Sequence, residues 1–349
     1  MNFCSDNVAG VAPEIMAALS AANAEPAAPS YGADAYTARV EAQLSEIFER
    51  QVTAFPVATG TGANTLLLST MAPPYGAIYC HAEAHVMVDE CGGPEFYTGG
   101  AKMVPLTSPT GKIAASDLAK LLDGSRPGDV HHVQPAAITL TQASESGTVY
   151  KPAEVAAIGA LARQHKLKLH MDGARFANAL AHLGCTPAEI TWKAGVDALS
   201  LGATKNGAMA AEVAVFFDTD LAASFGFRRK RAGHLVSKMR FVSAQLEAYF
   251  TDGLWLKMAK HANAMAAKLS QGLQSVEEAY LLNPVEANEV FVRLPLRVVA
   301  GLREAGFAFY DWPGAEPGTI RLVTAFSTDP THVELFLRTA RQLSGPKAG

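Results

Sequence analysis

The sequence predicts an α/β chain: a large domain built on a mainly parallel seven-stranded sheet over residues 1–250, then a small C-terminal α+β domain over residues 251–349. Three observations lead there. Apolar patches of strand length alternate with stretches of helical periodicity, the pattern of a sheet covered by helices. After Phe217 that alternation gives way to long helices and then short strands. A chain of 349 residues also exceeds what one hydrophobic core usually organises.

Seven segments read as strands: Thr53 to Val57, Ala77 to Cys80, Lys102 to Pro105, Ala136 to Thr141, Leu167 to Met171, Ala198 to Leu201 and Val213 to Phe217. Between them, Ala38 to Arg50, Ala63 to Met71 and Ala153 to His165 carry helical periodicity, and Pro187 suits the first position of a helical turn. Beyond Phe217, helices are expected near Gly233 to Phe250 and Leu254 to Leu273, with the joint between domains near residues 250 to 275. Short strands at Val290 to Leu294 and Thr319 to Thr324 follow, and a last helix starts near His332. There is no internal repeat, and the one biased tract is the Ala/Pro-rich stretch Ala21 to Pro29.

Composition narrows the function. Nearly half the residues are apolar and 18% are charged, which suits a well-packed enzyme with extensive subunit contact rather than a disordered binder. A net charge of -4 provides no general attraction to nucleic acid or to an anionic membrane. No apolar run reaches membrane-spanning length and the first residues lack a signal-peptide pattern, so a cytoplasmic protein is expected. Cys4, Cys80, Cys91 and Cys185 form no CxxC pair and read as small buried hydrophobes; no metal site is expected.

The chemistry is carried by two strand ends. In Leu199-Ser200-Leu201-Gly202-Ala203-Thr204-Lys205-Asn206, Lys205 lies just past an apolar strand in a small polar turn. Leu-Lys-Leu-His-Met-Asp-Gly, residues 167–173, is a second buried strand ending on Asp172. A strand-end lysine paired with a strand-end carboxylate is what pyridoxal 5'-phosphate requires: the amine forms an imine with the cofactor aldehyde, and the acid keeps the pyridine nitrogen protonated so that the ring draws electrons. A phosphate site is also legible. Ala58-Thr59-Gly60-Thr61-Gly62-Ala63-Asn64 follows a strand and opens an apolar helix, where backbone amides and the helix dipole favour a phosphate dianion. The segment lacks the third glycine of a dinucleotide fingerprint and the Gly-Lys-Ser/Thr of a Walker loop.

With these elements in order, the chain resembles the aspartate-aminotransferase-like (fold type I) pyridoxal phosphate enzymes, and more closely the threonine aldolase family in its bacterial low-specificity, phenylserine-active branch. The resemblance runs through Ser5-Asp6-Asn7, Tyr31-Gly32, the Thr59 to Asn64 turn, His85 with Asp89-Glu90-Cys91-Gly92, Gly147-Thr148-Val149-Tyr150, His170-Met171-Asp172-Gly173-Ala174-Arg175, the lysine segment and Ile320-Arg321-Leu322-Val323-Thr324. It implies that Lys205 holds the cofactor aldehyde, Asp172 pairs with the ring nitrogen, Gly60 and Thr61 hold the phosphate and His85 stacks on the ring. It implies further that Arg175 lies near the cofactor oxygen and the substrate carboxylate, which Ser5 and Arg321 fix, and that Tyr31 is among the substrate contacts. An arginine matches a carboxylate with a planar, bidentate fork.

Two departures from the family stand out. A Tyr-Glu pair is common after the stacking histidine, where this chain has Asp89-Glu90; and a histidine is common before Gly147, where it has Thr141-Gln142-Ala143-Ser144-Glu145. The acceptor of a substrate hydroxyl proton is therefore open among His85, Asp89, an ordered water, and His131 or His132. The run Arg228-Arg229-Lys230-Arg231, with Lys238 and Arg240 downstream, reads either as a solvated helix face or as cations reaching a neighbouring subunit's phosphate, Arg240 fitting the family best. No aromatic residues interleave it as nucleic-acid binding would require.

The expected activity is retro-aldol cleavage of L-threonine, L-allo-threonine and related β-hydroxy-α-amino acids, phenylserine included, to glycine and an aldehyde, in a homodimer or homotetramer with active sites at the subunit interface. Another pyridoxal phosphate reaction such as β-elimination uses the same Lys and Asp; a nucleotide-dependent oxidoreductase and a non-catalytic interaction protein fit fewer of the residues.

Overall fold

The computed structural model describes residues 1–345; the last four residues of the expected C-terminal domain lie outside the described residues. Its larger sheet has seven strands: β1 (Thr53–Val57), β2 (Gly76–His81), β3 (Lys102–Leu106), β4 (Gln134–Thr141), β5 (Lys168–Gly173), β6 (Ala198–Gly202) and β7 (Glu212–Phe216). They are ordered β1-β7-β6-β5-β4-β2-β3. β3, β2, β4, β5 and β6 pair in parallel, while β7 is antiparallel to both β6 and β1. Two reversals cancel, so β1 runs in the same direction as β6. The turns after β1, β4, β5 and β6 therefore open at one edge of the sheet, the edge where ligands of α/β sheets gather. Strands buried on both faces need apolar residues throughout, and β2, β6 and β7 are buried along their whole length.

All seven expected strands form, Thr53–Val57 at its expected bounds and the others with ends displaced by at most two residues. The helices differ more. The helix expected from Ala63 begins at Gly60, because Thr59 caps it by accepting the Gly62 amide at 3.0 Å. The helix expected from Ala38 begins at Ala35, capped by Asp34, and ends at Ile47. The helix expected over Gly233 to Phe250 spans only Arg240–Phe250, since Gly233 adopts φ +77° and breaks it from a short helix, Phe225–Arg231, that carries the basic run. The Ala/Pro-rich tract is helical at its start, as the end of Pro13–Ala24.

A four-stranded antiparallel sheet follows, ordered β10-β11-β9-β8, from β8 (Tyr280–Leu281), β9 (Glu289–Arg293), β10 (Tyr310–Asp311) and β11 (Thr319–Val323). Two side-chain clusters pack the large sheet and another packs the small one. The helix Leu254–Leu273 belongs to a cluster of each sheet: Trp255, Met258 and Ala259 pack into one of the large sheet's, Ala266, Leu269 and Leu273 into that of the small sheet. Phe3 also lies in the small-sheet cluster, 5.5 Å edge-to-face from Phe336, and its carbonyl accepts the Val323 amide at 2.8 Å. The first residues thus begin on the small sheet and cross to the edge of the large one, which brings Asn7 to the cavity described next.

Candidate active site

At that edge lies a cavity of about 370 Å³ lined by Asn7, Thr59, Gly60, Thr61, Asn64, His85, Glu145, Asp172, Lys205 and Glu212, among others. Its three chemical groups arise locally. Asp172 is the last residue but one of β5, and its Oδ1 accepts the Ala174 amide at 3.0 Å. β6 runs into a 3-10 turn, Thr204–Asn206, that carries Lys205. Asn206 anchors this turn by donating to the Tyr249 hydroxyl and the Trp255 carbonyl, both at 2.9 Å. The helix Gly60–Met71 points its first turn at the same space, and the Gly60 and Thr61 amides meet no acceptor among the described residues. Gly62 suits a close approach, because a Cβ there would run into the His234 ring.

Asp172 belongs to a buried network. Asn64 Nδ2 donates to Asp172 Oδ2 and to Glu90 Oε1, each at 2.8 Å, and His85 Nδ1 lies 3.0 Å from the same Glu90 oxygen. The hydrogen bond that His85 donates to Glu90 raises the histidine's pKa above the ordinary value. Below the strand, His170 bridges Thr139 Oγ1 at 2.8 Å and Ser200 Oγ at 2.9 Å; burial lowers its pKa to about 4, so this imidazole is neutral. Glu212, opposite Gly202 on β7, accepts the Ala203 and Thr204 amides at 3.2 and 3.4 Å. Burial pushes its pKa up to about 7.

A second cavity of about 620 Å³ lies beside the first and shares Glu145 with it; Glu83, Val88, Asp89, Tyr310, Asp311, Trp312, Pro313 and Arg321 complete its wall. Arg321 stands 5.5 Å from the Trp312 ring centre and 3.8 Å from Glu289, and its buried Nε has no hydrogen-bond partner among the described residues.

The sequence-derived site residues therefore divide. Lys205, Asp172, Gly60, Thr61 and His85 meet in the first cavity; Asp89 and Arg321 line the second. Arg175 lines neither. Its guanidinium is buried against Asp6, with Nε to Oδ2 at 2.8 Å and Nη2 to Oδ1 at 3.0 Å, while Nη1 is 3.2 Å from Glu289. Burial alone lowers its pKa, but the two carboxylates overcome that and raise it. Ser5 accepts the Asn7 amide at 3.1 Å as a helix cap and lines neither cavity. Tyr31 is exposed, with Lys230 4.6 Å from its ring centre. Arg240 donates to the Pro26 carbonyl, outside the cavity of its own chain. The suggestion that His131 or His132 approaches the reacting groups is corrected: both are exposed just before Gln134, where β4 begins, and the cavity lies beyond where β4 ends.

Sequence reasoning missed Asn64, Glu145 and Glu212, which line the cavity, and Asp6 and Glu289, which pair with Arg175. Glu212 and Glu289 each had a legible signal, an acid opening an apolar strand. Asn64, Glu145 and Asp6 had none, since each is defined by neighbours remote in sequence.

The residues present fit pyridoxal phosphate on the chemistry of the donor set: an amine, a carboxylate, an imidazole and two unpartnered helix N-terminal amides face one cavity.

A sequence model of the beta-eliminating lyase family matches residues 2–296. The chain is 42% identical over 331 residues to a low specificity L-threonine aldolase of a Pseudomonas strain, covering 95% of this chain and 94% of that one. It is 41% identical to the Pseudomonas aeruginosa protein of the same name, covering 98% of each. Among solved structures, Leishmania major threonine aldolase superposes with a TM-score of 0.92 at 28% identity, over 99% of both chains. An aspartate aminotransferase from Rhodobacter sphaeroides shares the fold, with a TM-score of 0.73 at 17% identity over 99% of this chain and 93% of that one.

Proposed function

Since the chain belongs to the beta-eliminating lyase family and, within it, to the low-specificity L-threonine aldolases, we propose that it cleaves L-threonine, L-allo-threonine and related β-hydroxy-α-amino acids to glycine and an aldehyde. The observation that carries this reading is the meeting of Lys205, Asp172 and the free amides of Gly60 and Thr61 in one cavity. Pyridoxal 5'-phosphate held there supplies an electron sink for the pair left on Cα when the Cα–Cβ bond breaks. Lys205 would hold its aldehyde carbon, Asp172 its ring nitrogen, and Gly60 and Thr61 its phosphate, with His85 placed to pack against the ring.

The substrate carboxylate is met by Arg321, whose unpartnered buried Nε favours it over Arg175, already forked onto Asp6. The second cavity receives the β-substituent. Its volume of about 620 Å³ and its Val88, Tyr310 and Trp312 walls support phenylserine as a substrate beside threonine. Exposed Phe227, on the short helix that carries the basic run, supports a homo-oligomer that covers this face. No helix among the described residues is long and apolar enough to cross a membrane, which accords with a cytoplasmic enzyme.

The test is to incubate cofactor-loaded protein with threonine, allo-threonine and phenylserine and to quantify glycine with acetaldehyde or benzaldehyde. Equimolar glycine and aldehyde support the reading. Ammonia and a keto acid in their place would establish β-elimination instead.

A further inference from the structure

We propose that Glu145 is the group that takes the proton from the β-hydroxyl during cleavage and returns it in the reverse, bond-forming direction; this rests on the aldolase reading. Glu145 lies at the junction of the two cavities and lines both. A substrate whose Cα stands over Lys205 and whose side chain enters the second cavity must carry its Cβ and β-oxygen across that junction.

The loop bearing Glu145 is tightly held. Gln142 donates to the Tyr150 carbonyl and accepts its amide, both at 2.9 Å, and Ser144 and Thr148 join through their hydroxyls at 2.8 Å and their backbones at 2.9 Å. Gly147 at φ +73° completes the turn. The loop therefore presents the Glu145 carboxylate to the junction without using it: among the described residues, no hydrogen bond or ion pair engages it, whereas the other acids around it are committed. Asp172 and Glu90 accept from Asn64, Glu212 from the Ala203 and Thr204 amides, and Asp6 and Glu289 meet Arg175. His85 is held through Nδ1 by Glu90, and Asp89 lines only the outer cavity.

The step balances. The hydroxyl proton passes to the Glu145 carboxylate, the O–H electron pair becomes the second bond of the aldehyde carbonyl, and the Cα–Cβ pair remains on Cα, where the sink already named takes it. Burial, then the nearby charge of Glu289, raises the Glu145 pKa, while Lys205, Arg175 and His85 lower it in part. Asp172 borders the inner cavity, and Glu83, Asp89, Asp311 and Arg321 face Glu145 across the outer one. A carboxylate raised toward the working pH is suited to both directions of transfer.

The experiment compares wild type, Glu145→Gln and Glu145→Asp holoenzyme. In Glu145→Gln, kcat for threonine cleavage should fall roughly 10²–10⁴-fold and the acidic limb of the rate profile should disappear. Affinity for pyridoxal phosphate, read by fluorescence, and exchange of the glycine α-hydrogen with solvent deuterium, which involves no β-hydroxyl, should stay within about twofold. Glu145→Asp should recover part of the rate and keep the limb. Infrared difference spectra should show a protonated carboxyl band titrating above the ordinary carboxylate range in wild type and missing from Glu145→Gln. The proposal is overturned by an unchanged rate and limb in Glu145→Gln, by equal loss of cleavage and glycine exchange, by Asp behaving as Gln, or by an unaltered band. Wild-type protein that exchanges glycine but releases no aldehyde overturns the aldolase reading itself, a distinct result.

Discussion

Asn64 and Asp172 are joined by a 2.8 Å hydrogen bond across 108 residues of sequence, and the same Asn64 nitrogen reaches Glu90 at an equal distance. One amide thereby holds two buried carboxylates apart and aims the Asp172 oxygens. His85 is tied into the same network through Glu90, so the positions that would carry ring nitrogen and ring face are coupled.

Asn64→Ala removes the shared donor and leaves Asp172 Oδ2 facing Glu90 with no donor between them. Loss of a buried donor to a charged partner costs about 1–3 kcal/mol. The variant should melt lower and bind pyridoxal phosphate roughly 10-fold more weakly by the same scale. Calorimetry and a cofactor titration check this; Asn64→Asp, which adds a third acid, should be worse than Ala.

Arg321→Ala should raise KM for threonine roughly 10–100-fold, the equivalent of one lost charge-assisted hydrogen bond, with a smaller change in thermal stability. Arg175→Ala should act the other way round. It strands buried Asp6 and Glu289, and breaking a buried pair from one side costs about 3–5 kcal/mol. Steady-state kinetics beside melting curves distinguish the two arginines.

Glu212 sets a pH dependence. Its pKa is raised from 4.5 to about 7 by burial, so the folded state holds the proton more tightly than the unfolded chain. The associated stability is fully present below 4.5 and is lost as pH rises through about 7, a change on the order of 3 kcal/mol. Glu212→Gln should flatten the stability profile across that window in denaturant titrations of cofactor-free protein. An unaltered slope would remove Glu212 as its source.

Much of the large sheet was legible because parallel strands buried on both faces need runs such as Ala198-Leu199-Ser200-Leu201. The helix ends were less so. Thr59 capping, or Gly233 in the left-handed region, depends on backbone geometry that composition only hints at. The arginine assignments show a further limit. Arg175 and Arg321 carry the same chemistry, and only their neighbours tell that one fork is filled by Asp6 while the other has an unpartnered Nε.

From the chain alone came the two strand-end groups, Asp172 and Lys205, and the small-residue turn at Gly60 and Thr61, since each is written in a few consecutive residues whose local conformation exposes them. Only the packed molecule decided which acids are committed and which one, Glu145, faces the junction of the cavities without a partner among the described residues. The physical reason is range. Strand burial and helix capping act between near neighbours, whereas a carboxylate's availability depends on donors supplied by segments far away in sequence, as Asp6 and Arg175 meet across 169 residues.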